Sequence, residues 1–171
     1  DEVGHGTHVS GIVAAKGLRM EEGVAPDCKL MAVRVLATME RDGKRFGAGI
    51  VDNINAGIKH AVDHGADVIN MSLGIRHMGG GLPHEDVIRY AVSKDVTVVA
   101  ASGNDGTAER YYPGALEGVW AVGATDEQGE LAPFSSYGAR ISLVAPGSRV
   151  FSAFASGGYA HASGTSQASP F

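Results

Sequence analysis

The sequence predicts a single α/β domain, a three-layer arrangement of a mostly parallel sheet flanked by helices. Segments with helical apolar spacing alternate with short apolar runs of strand length along all 171 residues. Residues 96–101 are apolar without alternation, which marks a strand covered on both faces, as in a parallel sheet between helices. No linker, repeat or low-complexity tract divides the chain. Its 44% hydrophobic and 19% charged residues suit one compact unit.

The elements follow in order. Residues 5–15 predict a helix whose first turn carries histidines. Residues 29–36 (KLMAVRVL) read as a strand. Residues 49–64 place Ile50, Ile54, Ile58, Ala61 and Val62 at helical spacing, with Gly65 as the stop. Residues 67–74 form a short apolar strand ending in a polar turn, and residues 84–93 a second amphipathic helix broken at Asp95. Residues 119–123, 141–145 and 149–152 supply further short strands. Active groups in such sheets gather beyond the carboxyl ends of the strands. The turns Ser72-Leu73-Gly74 and Ser102-Gly103-Asn104-Asp105-Gly106 both lie there.

Composition excludes several classes. The net charge of −5 without a Lys/Arg run argues against nucleic acid or an anionic membrane as partner. No apolar run reaches the roughly 18 residues of a membrane-spanning helix. The lone Cys28 lies in an apolar stretch and is expected to be a buried, inert thiol. No initiator Met or signal peptide precedes Asp1, and Pro170-Phe171 opens an element rather than closing one. The chain therefore reads as an internal fragment, truncated at both ends.

Taken singly, the polar candidates are ordinary. Ser166 in Gly-Thr-Ser suits a helix cap, and Asn104 suits a turn. His5 and His8 lack the carboxylate and spacing of a helical zinc motif, so no metal is assigned. His60 and His64 read as a solvated helix face. Together the candidates supply an acyl-transfer centre: a serine nucleophile, an imidazole base, and a neutral NH2 donor for the oxyanion of a tetrahedral intermediate. Extended backbone at Ser72-Leu73-Gly74 and Gly47-Ala48-Gly49 could pair with a peptide by strand addition.

The blocks His5-Gly6-Thr7-His8-Val9-Ser10-Gly11, Gly23-Val24-Ala25-Pro26, residues 67–74, Ala100-Ala101-Ser102-Gly103-Asn104, Phe134-Ser135-Ser136-Tyr137-Gly138, Ala145-Pro146-Gly147 and Gly164-Thr165-Ser166-Gln167-Ala168-Ser169-Pro170 resemble the successive signatures of subtilisin-like serine proteases, peptidase family S8. The resemblance covers essentially all of the chain as a partial catalytic domain, residues 1–171. It implies a secreted, monomeric endopeptidase acting on polypeptides, with an N-terminal pro-region in the parent chain. It makes His5 the general base, Ser166 the nucleophile and Asn104 the oxyanion donor. Ser72, Leu73 and Gly74 become one wall of the pocket for the residue before the scissile bond, and Ala101, Ser102 and Gly103 the other. Gly47, Ala48 and Gly49 become the strand that pairs with substrate further upstream.

Some positions depart from the pattern. The family's triad Asp lies on a strand well before the His block, and Asp1 and Glu2 are too near His5 to be it. That carboxylate is expected upstream of residue 1. Residues 16–22 replace the Asn-bearing loop that holds a tight calcium ion in many relatives. A structural calcium is therefore doubtful there, a weaker cation site near residues 113–119 stays open, and the chemistry requires no cofactor. Tyr111 stands where relatives commonly carry a small residue at the pocket base, so the resemblance implies a shortened pocket that disfavours large aromatic side chains of the substrate. The alternative is that Asp105 at the rim attracts a Lys or Arg of the substrate instead. Two alternatives remain: a catalytically silent domain of the same family kept for binding or structure, and, more remotely, a nucleotide-binding module. Gly79-Gly80-Gly81, followed by Leu82-Pro83, carries no phosphate-binding fingerprint for the latter.

Overall fold

The structure, a computed structural model, describes residues 1–171. Helix α1 (His5–Ala14) begins under the carboxylate of Asp1, which accepts the Gly4 N–H at 2.9 Å and the Thr7 N–H at 2.8 Å. Donors of a first turn have no partner inside the helix, so this acidic cap defines where α1 starts. A hairpin follows, β1 (Ala37–Arg41) with β2 (Lys44–Ala48). Next come α2 (Val51–Asp63), β3 (Val68–Met71), β4 (Ile75–Arg76), α3 (Glu85–Ser93), β5 (Thr97–Ala101) and β6 (Tyr111–Tyr112). The remaining elements are β7 (Val119–Thr125), β8 (Leu143–Pro146), β9 (Val150–Ala153), β10 (Tyr159–Ala162) and a short α4 (Thr165–Ala168).

The central sheet is parallel throughout, in the order β3-β5-β7-β8. Register divides its residues between two faces, because paired positions of parallel strands point the same way. Met71, Val98, Ala100 and Val119 face α2 and α3, and pack with Ile54, Ile58, Val62, Ile88 and Ala91 into the main core. The α2 residues are spaced four apart, which is why one stripe of that helix is buried. Ile58, 4% exposed, contributes roughly 1.5–3 kcal/mol by leaving water. On the other face Val122, Ala124 and Ala145 pack on Ala168 of α4. Beyond that short helix the face is open: Val68 is 59% exposed, Trp120 53% and Leu143 42%.

The helices at 5–15, 49–64 and 84–93 and the strands at 67–74, 96–101, 119–123, 141–145 and 149–152 are present with ends shifted by a few residues. Residues 29–36 are not a strand, since no neighbouring chain supplies their ladder of hydrogen bonds. Val33 and Val35 of this run lie against Gly57 of α2. The expectation for Cys28 is also corrected: its thiol is exposed, in a surface turn ahead of that unpaired run. The β1–β2 hairpin had a signal of its own in Asp42-Gly43. Both residues have positive φ (52° and 71°), as a two-residue hairpin turn requires.

Candidate active site

Ser166 sits in the first turn of α4, reached through the sharp connection from β10. Thr165, fully buried, holds that turn to the segment after β5. Its backbone N–H donates to Asn104 Oδ1 at 2.7 Å, and its Oγ1 accepts the Gly103 N–H at 3.2 Å. The Oγ1 hydroxyl has Asn104 Oδ1 at 3.0 Å and the Gly103 carbonyl at 3.3 Å as acceptors. On the opposite side Ser72 Oγ donates to the Ser166 carbonyl at 2.7 Å and accepts from Asn70 Nδ2 at 2.9 Å. The nucleophile candidate is thus clamped between the ends of β3 and β5, where the turns had been expected to gather a site.

The clamp also orients Asn104. A backbone N–H only donates, so the atom facing Thr165 must be the amide oxygen. The Asn104 NH2 is left with no acceptor in the chain. The Ser166 N–H, in the first turn of its helix, has none either. Two free donors beside one serine hydroxyl suit an oxygen that gains negative charge.

His5 opens α1, which packs beside α4. Burial, and secondarily the charge of His8, hold the His5 imidazole below its usual pKa. Ser166 Oγ donates to the Ser72 carbonyl at 3.2 Å and not to His5. No carboxylate touches His5 either, because Asp1 is occupied by the helix cap. His8 has a different job. Its Nε2 lies 3.1 Å from the carbonyls of both Val150 and Ala160, so Nε2 carries the proton and ties α1 to the β9–β10 hairpin. Gly11 lets that contact close, since a Cβ there would lie 2.2 Å from Ser152 Oγ.

Of the expected pocket walls, Ser102 donates its hydroxyl to the Ser136 carbonyl and Leu73 packs on the main core. Ala101 ends β5 as a buried residue, and Gly103 and Gly74 present backbone. Gly47 and Ala48 close β2, whose second edge is unpaired, whereas Gly49 lies outside the strand and packs on Leu36. No hydrogen bond joins these three residues to Ser166, Ser72 or Asn104. The Asp105 carboxylate accepts from Arg76 and the Tyr111 hydroxyl, and Arg76 is shared with Glu109, so this group of side chains keeps one excess negative charge. Sequence reasoning missed Arg76, whose role depends on a contact across 29 positions of chain. It also missed Thr165, although that residue lies inside the Gly-Thr-Ser block.

In residues 16–22, Lys16 and Glu22 pair through an isolated backbone β-bridge, and the Lys16 ammonium donates to Asp27 at 3.0 Å. A cavity of about 550 Å³ lies between α2 and α3, lined by Asp63, Asp67, Tyr90 and Asp95 among others. It opens at the amino ends of β3 and β5, the wrong end of the sheet for Ser166.

The Peptidase S8 family model, described as the subtilase family, matches residues 1–171. The chain is 42% identical over 168 residues to the thermophilic serine proteinase of Bacillus sp. (strain AK1), covering 97% of this chain and 40% of that protein. It is 42% identical over 171 residues to subtilisin Savinase of Lederbergia lenta, covering 99% and 60% respectively. Among solved structures, the prenylagaramide maturation protease PagA superimposes with a TM-score of 0.88 at 33% identity, over 97% of this chain and 60% of that one. The chain therefore spans between two fifths and three fifths of the length of these relatives. On that match across its whole length, the chain belongs to the subtilase family.

Proposed function

We propose that the protein is a serine endopeptidase that cleaves polypeptides through an acyl-enzyme. Ser166 Oγ bonds to the scissile carbonyl carbon while its proton passes to His5. The carbonyl oxygen, now negative, is held by the Asn104 NH2 and the Ser166 N–H. Collapse of this intermediate breaks the C–N bond, and the leaving amine takes the proton from His5. Water then repeats the sequence to free the acid. The observation that carries this reading is the anchoring of Asn104 Oδ1 by Thr165, which leaves a free donor beside the serine hydroxyl.

Ser166 Oγ must turn from the Ser72 carbonyl towards His5 for the first step, a tightening that is common when substrate arrives. The carboxylate that orients His5 is assigned to a segment outside these residues. Without it turnover falls by about 10⁴, the magnitude for the same loss in subtilisin and related enzymes. The chemistry itself needs no metal. Secretion goes with this reading and rests on the resemblance alone.

A silent domain is the second reading, favoured by Ser166 Oγ bonding the Ser72 carbonyl and not His5. A fluorophosphonate probe decides between them. In the full-length protein the probe is expected to label Ser166 and to leave Ser166→Ala unlabelled, whereas a silent domain takes up none.

Asn104→Asp separates donation from anchoring. Asp keeps the acceptor for Thr165 but removes the NH2. The expected result is a kcat lower by at least about 10²–10³, the loss known for the corresponding donor of subtilisin itself, with KM changed little. A variant of unchanged kcat would reduce Asn104 to a structural anchor.

A further inference from the structure

We infer that His60 and His64 form a binding site for one divalent transition-metal ion of the class imidazoles prefer, Cu2+, Ni2+ or Zn2+, at the carboxyl end of α2. The site is separate from Ser166 and does not depend on the protease reading.

The two imidazoles stand at positions i and i+4 of α2 and its cap, so one face of the helix carries them one above the other. This is the spacing of the two histidines in the helical zinc motif, which His5 and His8 lack. Both residues are exposed, and their ring centroids lie 3.9 Å apart at an interplanar angle of 31°. Two nitrogens bound side by side to one ion, at about 2.0–2.1 Å each, stand about 3 Å apart. Rotation about the side-chain bonds therefore takes the pair from contact to chelation with the backbone in place.

His64 already has the tautomer this requires. Its Nδ1 lies 2.8 Å from the His60 carbonyl, which can only accept, so Nδ1 carries the proton and Nε2 keeps its lone pair. An imidazole that ligates a metal through one nitrogen commonly donates its other N–H to a backbone carbonyl, which orients the ring and raises its basicity. The same carbonyl accepts the His64 backbone N–H at 3.1 Å, so the ring is held to the last turn itself. Charge favours a cation here as well. The carboxyl end of a helix is the negative end of its dipole, and the neighbouring Lys59 ammonium is paired with Asp63.

Donor chemistry selects the ion. Neutral nitrogens suit Cu2+, Ni2+ and Zn2+, whereas Ca2+ and Mg2+ take clustered oxygens. Ala61 stands where the zinc motif carries its glutamate, and Asp63 is engaged by Lys59 and the Tyr90 hydroxyl. No general base adjoins the pair, so the site binds an ion without becoming a second hydrolytic centre. An ion there ties residue 60 to residue 64 and braces the turn that closes α2, whose opposite stripe lies in the main core.

The test titrates the full-length protein with Cu2+ alone, the strongest binder of the series, and reads the nitrogen hyperfine pattern by electron paramagnetic resonance. The wild type is expected to bind one equivalent through two nitrogens. His60→Ala and His64→Ala are each expected to weaken that binding at least about tenfold, because either change turns a chelate into a single ligand. His77→Ala, which removes another exposed imidazole, is expected to leave it unchanged. Cu2+ should raise the Tm of the wild type and of His77→Ala more than that of the other two. All four proteins are expected to melt together in the presence of a chelator, which separates lost binding from lost folding. Undiminished affinity in either His60→Ala or His64→Ala overturns the inference. So does a one-nitrogen spectrum in the wild type, or an equal loss in His77→Ala.

Discussion

His5→Ala and Ser166→Ala are each expected to lower kcat by about 10⁶-fold, and the double variant to lose little more. These are the losses known for the corresponding residues of subtilisin itself, where the two groups act as one unit. The single variants remove opposite partners of one proton transfer, so neither retains a partial mechanism. What remains comes from the donors of Asn104 and Ser166, which need no proton acceptor. Losses that multiplied in the double variant would show that the two side chains work independently.

The pH profile extends the same expectation. His5 serves as a base only when neutral. Burial, followed by the charge of His8, lowers its pKa from the ordinary 6.5 of an imidazole. With only the groups of this chain around it, the acid limb of kcat/KM falls below 6.5. A carboxylate delivered by the rest of the protein favours imidazolium and moves the limb upward. The position of that limb in the full-length enzyme therefore reads whether a triad Asp reaches His5. Stability follows the same sign. The unfolded chain takes up the His5 proton near 6.5 and the folded chain only at lower pH. This contribution is therefore full above 6.5 and declines as pH falls towards the folded value.

The second large effect concerns the 171 residues by themselves. They are expected to keep helical and strand signal in the far ultraviolet yet show no cooperative near-ultraviolet melting, and to bind a hydrophobic dye. The reason is the open face of the sheet, where Val68, Trp120 and Leu143 stand in water and only Ala168 and its neighbours in α4 cover the strands. Trp120 reports on this directly. Its emission should lie near that of free tryptophan in the isolated chain and shift to the blue in the full-length protein. A sharp near-ultraviolet transition in the isolated chain would show that the one covered face holds the fold alone.

Much of the fold was legible because its signals are local. Apolar spacing of four in α2 and an unbroken apolar run in β5 each report burial without reference to the rest of the chain. Residues 29–36 misled for the same reason. Their composition suits a strand, but a strand exists only where another chain offers hydrogen bonds, and none does here. Cys28 misled likewise, because its apolar neighbours Val24 and Leu30 are themselves exposed at the surface.

By itself the sequence determined which chemical groups this protein carries and in what order: an imidazole at His5, an amide at Asn104 and a hydroxyl at Ser166, each within a recognisable block. Their roles depend on contacts that no local pattern encodes. Only the tertiary structure decided that Asn104 turns its oxygen to Thr165, 61 positions away, and so keeps its NH2 free. It also decided that Asp105 is bound by Arg76 and the Tyr111 hydroxyl, and that Tyr111 lies between Gly74 and Gly103. Hydrogen-bond direction and the filling of a gap are set by the partner across space, and the chain's order along its length does not specify that partner.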